Sequence, residues 1–365
     1  MAVGLPLKTT YANGDVYSAS DVNDTNGTIN ANVNPFTAGK NKIINGDFYV
    51  NQRGFTSSTS YDYGFDRFIN AVGGGTGTGT FTAQTFTAGT APVAGYEGKN
   101  YLRCVTTGQT AAGTYTIIQQ VIEDVRTLAG QTATISFWAK AATGTPKIFA
   151  EFEQNFGSGG SAGVTTGSAV TLTTSWARYS ITLSVPSISG KTIGTSSGLT
   201  LLLWVSAGST FNTRTSSLGI QSNTFEVWGV QVEAGSTATP FQTATGTIQG
   251  ELAACQRYYY RTYSNSTYVT FARGAAIASN AARVLLFFPV SMRIAPTAIE
   301  TASVGNYFTS DGTTNTTLTS FSMGVASTDD ASFDIGTSGG LTNYRPMALV
   351  AYNSGNWYLG FSAEL

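Results

Sequence analysis

Side-chain alternation with a period of two is the feature that most constrains this chain. Tyr179, Ile181, Leu183 and Val185 alternate with Arg178, Ser180, Thr182 and Ser184. Successive side chains point to opposite sides only in an extended strand, so the pattern predicts a strand with one face in a core and one in water. The pattern recurs along the chain. In 131–140, Ile135 and Phe137 face away from Ser136 and Trp138. In 147–156, Ile148, Ala150 and Phe152 share a face and Lys147, Glu151, Glu153 and Asn155 the other, with Phe149 out of step. Trp228, Val230 and Val232 face one way within 224–233, and Trp357, Leu359, Phe361, Ala363 and Leu365 alternate to the last residue. Strands are also expected at 114–121 and, as buried-type apolar runs, at 201–205, 284–290 and 347–352. Repeated short strands without long helices predict an all-β protein built on a β-sandwich.

The pattern divides the 365 residues into four parts. Residues 1–42 form an N-terminal segment with a short helix, begun by the cap Ser18 and the acid Asp21, that carries a thin apolar stripe of Val22, Ile29 and Val33. So narrow a stripe suits packing against copies of itself or a docking partner, and Pro35 ends it. Residues 43–246 read as one sandwich, opened by the Asn45-Gly46 turn, with a flexible Gly73–Gly79 loop and a short helix expected around 123–128. In 247–260, Ile248, Leu252, Cys255 and Tyr259 fall at helical spacing and predict a helical junction. Residues 261–365 read as a smaller C-terminal β-sandwich.

Composition narrows the function. Charged residues make up 11% of the chain and the net charge is −1, which leaves no basic footprint for nucleic acid or an anionic membrane. There is no histidine, which removes Ser-His-Asp and Cys-His catalysis and His-ligated zinc. Cys104 and Cys255 read as buried thiols, with a single bridge left open. No stretch reaches the roughly 20 apolar residues of a membrane-spanning helix. The first residues, Met1 to Pro6, lack the charged and apolar regions of a signal peptide, so export by the usual secretory route is not expected.

Several segments resemble, in the expected order, the jelly-roll domains recurrent in bacteriophage tail and fibre proteins. They are the Asn45-Gly46-Asp47-Phe48 turn, Asn51-Gln52-Arg53-Gly54, Phe65-Asp66-Arg67-Phe68, and the stretch from Trp228-Gly229-Val230 to Thr239-Pro240-Phe241. Glu251 to Tyr259 and Phe288 to Thr297 are similar to the junction and distal-domain start of such proteins, and Ala19 to Phe36 to their attachment segment. The run from Leu128 to Ile135-Ser136-Phe137-Trp138-Ala139-Lys140 looks like the middle of carbohydrate-binding modules of the same jelly-roll kind. The resemblance implies a virion appendage, on tail or capsid, usually homotrimeric, joined to other virion proteins through residues 1–42 and contacting a host cell-surface glycan.

Three sets of residues are candidates for chemistry. Glu151 and Glu153 lie two apart on one strand, about 6.6 Å along it, near the ~6.5–9.5 Å of an inverting glycosidase pair. The simpler reading is a polar outer strand face. The same face offers Glu151, Glu153 and Asn155 to sugar hydroxyls, with Tyr61, Tyr63 or Phe156 to stack on a pyranose ring. Asp47, Asp62 and Asp66 are candidate ligands for a structural Ca²⁺, although their spacing matches no dedicated calcium loop and a polar turn is the simpler reading. No other cofactor is expected. The expectation is therefore a non-enzymatic, glycan-binding virion protein. The alternatives are a polysaccharide depolymerase using Glu151 and Glu153, and an architectural decoration without a ligand.

Overall fold

The computed structural model describes residues 38–75, 77–93, 96–352, 355 and 357–365. The expected stripe of Val22, Ile29 and Val33 lies outside the described residues. The described chain forms two compact units. Residues 38–49, 59–61 and 70–248 make one, and residues 50–58, 62–69 and 249–365 the other.

The first unit is a jelly-roll β-sandwich. Its strands are β1 (Ile69–Gly73), β2 (Thr78–Thr85), β3 (Asn100–Thr107), β4 (Tyr115–Glu123), β5 (Thr132–Ala141), β6 (Lys147–Asn155), β7 (Val164–Thr171), β8 (Ala177–Ser184), β9 (Gly198–Ala207) and β10 (Asn223–Ala234). The back sheet runs β2-β3-β10-β5-β8 and the front sheet β1-β4-β9-β6-β7. The chain crosses repeatedly between them, as a jelly roll requires. Inward-facing side chains follow the expected alternation: Ile135, Phe137, Ile148, Phe152, Leu201 and Leu203 are buried. Strand β9 is buried along its whole length, and strands pair on both its edges.

Two local expectations are corrected here. Beyond Glu123, which ends β4, residues 125–130 form turns and no helix, with Asp124 at φ 71° and Leu128 at φ 60°. Trp228 does not share a face with Val232. A β-bulge between Trp228 and Gln231, opened by Gly229 at φ 64°, shifts the register, so Trp228 pairs with Trp138 and Val232 with Ile135.

Asn45-Gly46 makes the expected turn, for a more specific reason than tolerance of positive φ. Asn45 takes the left-handed conformation at φ 61°. Gly46 is instead pressed on the back sheet: a Cβ there would lie 2.1 Å from the Val230 carbonyl oxygen, and its own carbonyl accepts the Val230 N–H at 2.8 Å.

In the second unit, α1 (Ile248–Gln256) leads into β11 (Tyr259–Tyr263), β12 (Thr270–Ala278), β13 (Ala281–Phe287), β14 (Ile299–Thr301), β15 (Tyr307–Ser310), β16 (Asn315–Ala326), β17 (Asp330–Thr337), β18 (Pro346–Ala351) and β19 (Tyr358–Ser362). The all-β class holds, but this unit is not an open sandwich. Strands β12-β13-β17-β16-β15-β18 close into a barrel, beside a three-stranded sheet β11-β19-β14. Closure follows from β12 pairing with both β13 and β18, which leaves no free edge. Val284, Leu286, Phe333, Ile335, Leu349, Leu359 and Phe361 fill the core.

The helical stripe of α1 is also corrected. Ile248 and Leu252 face solvent, while Cys255 and Glu251 are buried. Around them gather residues of the Gln52-Arg53 and Asp66-Arg67 segments. Gln52 Nε2 donates to the Tyr259 carbonyl at 2.7 Å, Arg53 covers the Tyr259 ring at 3.5 Å, and Arg67 stacks on Tyr258 at 3.5 Å while pairing with Glu364. Residues 50–58 and 62–69 cluster with this unit. Cys104 and Cys255 are buried free thiols.

Candidate functional site

The outer face of the front sheet collects the candidate residues. Pairing register sets Glu151 across from Leu202 and Leu202 across from Gln119. The next rows are Glu153–Thr200–Val121 and Asn155–Gly198–Glu123. Rows lie two residues apart, about 6.6 Å, and strands about 4.8 Å apart, so the three strands span a strip about 10 Å across, in which Gln119, Glu123, Glu153 and Asn155 are the accessible polar side chains while Leu202, Thr200 and Gly198 on β9 are buried.

One end of this face is covered. Phe149, Trp204, Leu202, Ile117 and Ala71 form a small buried cluster against Phe211 and Leu218. The covering segment is the loop after β9, which begins with a 3-10 turn at Ser209–Phe211. Phe211 packs on Trp204 at 5.2 Å and on Tyr115 at 5.8 Å. Backbone bonds pin the loop, with Gly208 N–H on the Thr114 carbonyl at 2.7 Å and Ala207 N–H on the Gly219 carbonyl at 3.0 Å. This explains why Phe149 breaks the sequence pattern: the strand's outer face is itself apolar where the loop lies on it.

The same loop carries Arg214, which the sequence reading did not single out. Its Nε donates to both oxygens of Glu151, at 2.9 and 3.0 Å, and a terminal nitrogen donates to Glu153 at 2.7 Å. Trp204 Nε1 adds a bond to Glu151 at 2.8 Å. Burial raises the Glu151 carboxyl above its usual range, against the opposing pull of Arg214 and Trp204. Glu151 is 1% exposed, whereas the Glu153 side chain is 31% exposed. The guanidinium thus occupies the space between the two carboxylates, where an inverting pair must admit sugar and water. In the sequence Arg214 is a lone cation in a Thr/Asn loop, in a chain with only 19 Lys and Arg, and nothing local links it to either glutamate.

The other predicted residues fall apart into distinct roles. Tyr61 is 60% exposed, and its hydroxyl accepts a hydrogen bond from Gln119 Nε2 at 3.0 Å, at the edge of the strip. Asn155 is exposed at the end of β6, and its side-chain oxygen accepts the Gly157 N–H at 2.9 Å. Phe156 is buried, so it offers no face to a sugar. Tyr63 belongs to the barrel unit; Arg53 lies over its ring at 4.6 Å and its hydroxyl donates to the Leu365 carbonyl at 3.3 Å, so one ring face is already taken.

The acids considered for calcium are occupied by the fold. Asp47 accepts the Tyr96 hydroxyl at 2.8 Å, and Asp66 accepts Gln52 N–H at 2.8 Å and Gln52 Nε2 at 2.5 Å. Asp62 accepts the N–H of Tyr63 at 2.8 Å. Burial raises both Asp47 and Asp66 above the usual carboxylate range. Among the described residues no group of three Asp, Glu, His or Cys side chains converges as a metal site. Asp66 ties its own segment to residue 52 through those two bonds.

The sequence matches no protein-family profile and no curated protein. Among solved structures it is similar to the enzymatically active domain of bacteriophage CBA120 tailspike protein 4, at 14% identity and a TM-score of 0.32 over 54% of this chain. The chain spans 22% of that tailspike's length. It is similar also to a family 11 carbohydrate-binding module from Clostridium thermocellum in complex with a β-1,3-1,4-mixed-linked tetrasaccharide, at 14% identity and a TM-score of 0.31, over 51% of this chain and 98% of the module. A family 61 module in complex with β-1,4-galactotriose matches at 10% identity and a TM-score of 0.28, over 54% of this chain and 99% of the module.

Proposed function

We propose that this protein binds glycans on the front sheet of its sandwich and does not cleave them. The observation that carries the reading is Tyr61, a largely exposed ring pinned by Gln119 at the edge of a sheet face that carries Glu123, Glu153 and Asn155. A fixed aromatic face stacks on the apolar face of a pyranose. On the same face, Glu123, Glu153 and Asn155 supply acceptors and donors for ring hydroxyls. The Arg214 clamp holds Glu153 in one place, which reduces the ordering cost of binding.

The fuller reading is a virion appendage. Residues 1–42 join it to other virion proteins, the chain assembles as a homotrimer, and the bound glycan lies on the host surface. The ordered resemblance to phage fibre segments supports this, as does a surface so poor in charge that like charges seldom meet across a three-fold axis.

A glycan array probed with wild type and Tyr61→Ala tests the binding reading. The expected result is a defined set of glycans bound by wild type and at least tenfold weaker binding by the variant, with unchanged melting. Failure of folded wild type to bind any glycan sinks it. Capsule or lipopolysaccharide shortened by wild type but not by Glu153→Gln makes the protein a depolymerase instead. Mass measurement on the purified protein tests the trimer, and a stable monomer refutes it.

A further inference from the structure

We propose a second ligand site, in the barrel unit, that takes a carboxylate-bearing pyranose such as a hexuronic acid. The site is a groove of about 470 Å³ between β11 and the β12–β13 hairpin. That volume lies within the range of about 300–1,000 Å³ typical of small-molecule sites. Tyr260, Phe271 and Phe287 give it aromatic walls, and Thr262, Thr270 and Arg273 its polar groups. No acidic side chain lines it.

Two of the rings are fixed from behind. Tyr260 packs edge-on against Phe288 at 5.9 Å, and Phe271 lies tilted against Tyr307 at 5.8 Å. Phe287 is 69% exposed, which is unusual for so large an apolar side chain and leaves its face open to a ligand.

Arg273 selects the ligand's charge. It pairs across the hairpin with Leu285, an apolar residue, and among the described residues its guanidinium has no hydrogen-bond or ion-pair partner. The barrel's other exposed arginines are satisfied: Arg283 bonds both oxygens of Asp334, at 2.7 and 2.9 Å, and Arg345 pairs with Asp311 at 2.5 Å. An unpaired guanidinium beside aromatic faces, with no competing acid, is complementary to a planar carboxylate carried on a ring that stacks. The threonine hydroxyls supply donors and acceptors for the ring's hydroxyls.

Titration of the full chain with glucuronate and, separately, glucose decides the matter. Glucuronate is expected to bind at least tenfold more tightly than glucose, and less tightly as salt rises. Arg273→Gln should lose that preference, and Phe287→Ala should weaken both sugars; both positions are exposed, so melting is expected to be unchanged. Equal binding of the two sugars, no binding of glucuronate, or glucuronate binding unaltered by Arg273→Gln overturns the proposal. Tyr61→Ala should leave glucuronate binding intact, so failure of the front-sheet site and failure of this one are told apart.

Discussion

The guanidinium of Arg214 is a third exposed, yet it answers a carboxylate that is almost wholly buried. Removing it leaves the Glu151 charge in an apolar pocket formed by Trp204, Leu202 and Phe149. Arg214→Met is therefore expected to destabilise the sandwich by about 2–3 kcal/mol, less than for a fully buried pair because water already reaches the arginine. Urea unfolding followed by tryptophan fluorescence measures it. The pH dependence of the same group has a definite sign. Because the folded protein raises the Glu151 pKa, the group's contribution to stability is fully present below its ordinary value of 4.5 and is lost as pH rises through the raised one. The stability of wild type relative to Glu151→Gln should then fall as pH is raised from about 4. A difference that grows with pH refutes the raised value. In the sequence the two glutamates were legible as one outer face. Their partner was not, since 61 residues separate Arg214 from Glu153 and no local pattern links them.

At the scale of elements, period-two patterning made most of the sandwich strands legible, and its failures carried information. Phe149 out of step marked the place where a loop lies on a sheet. Gly229 did the opposite, since a bulge erased the alternation that Trp228 and Val232 had suggested. Closure of the barrel was not legible, because it rests on β12 pairing with β18, some 70 residues on, rather than on the content of either strand. Element packing also fixes the cost of small changes. At Gly46 even a methyl group meets the Val230 carbonyl. Gly46→Ala must push the turn off the back sheet, and is expected to cost about 1–3 kcal/mol in thermal or urea melts. Gly54→Ala is the contrasting case: its φ of 65° makes it strained, but nothing lies within 4 Å of the new Cβ. Its cost should therefore come from the backbone alone, about 1 kcal/mol.

For the whole molecule, the division of the chain was the part least open to reading. The phage-like segments around Asn51-Gln52-Arg53 and Asp66-Arg67 make contacts within the barrel unit. Strand patterning does not reveal these, because cation–π stacks, an ion pair and hydrogen bonds are among them and none follows from a period of two. Residues 249–365 made alone would lack Arg67 for Glu364 and Gln52 for Tyr259. They are expected to show no cooperative melting, whereas the full chain does; calorimetry compares the two. That two-part contribution also has a consequence for biosynthesis. The barrel unit needs pieces from both ends of the described chain, so it cannot finish folding until the ribosome has delivered its last strands. Arg53, Asp66 and Arg67 emerge early and must wait, while the nearly continuous sandwich sequence behind them is free to fold first. Order of synthesis thus sets an order of assembly.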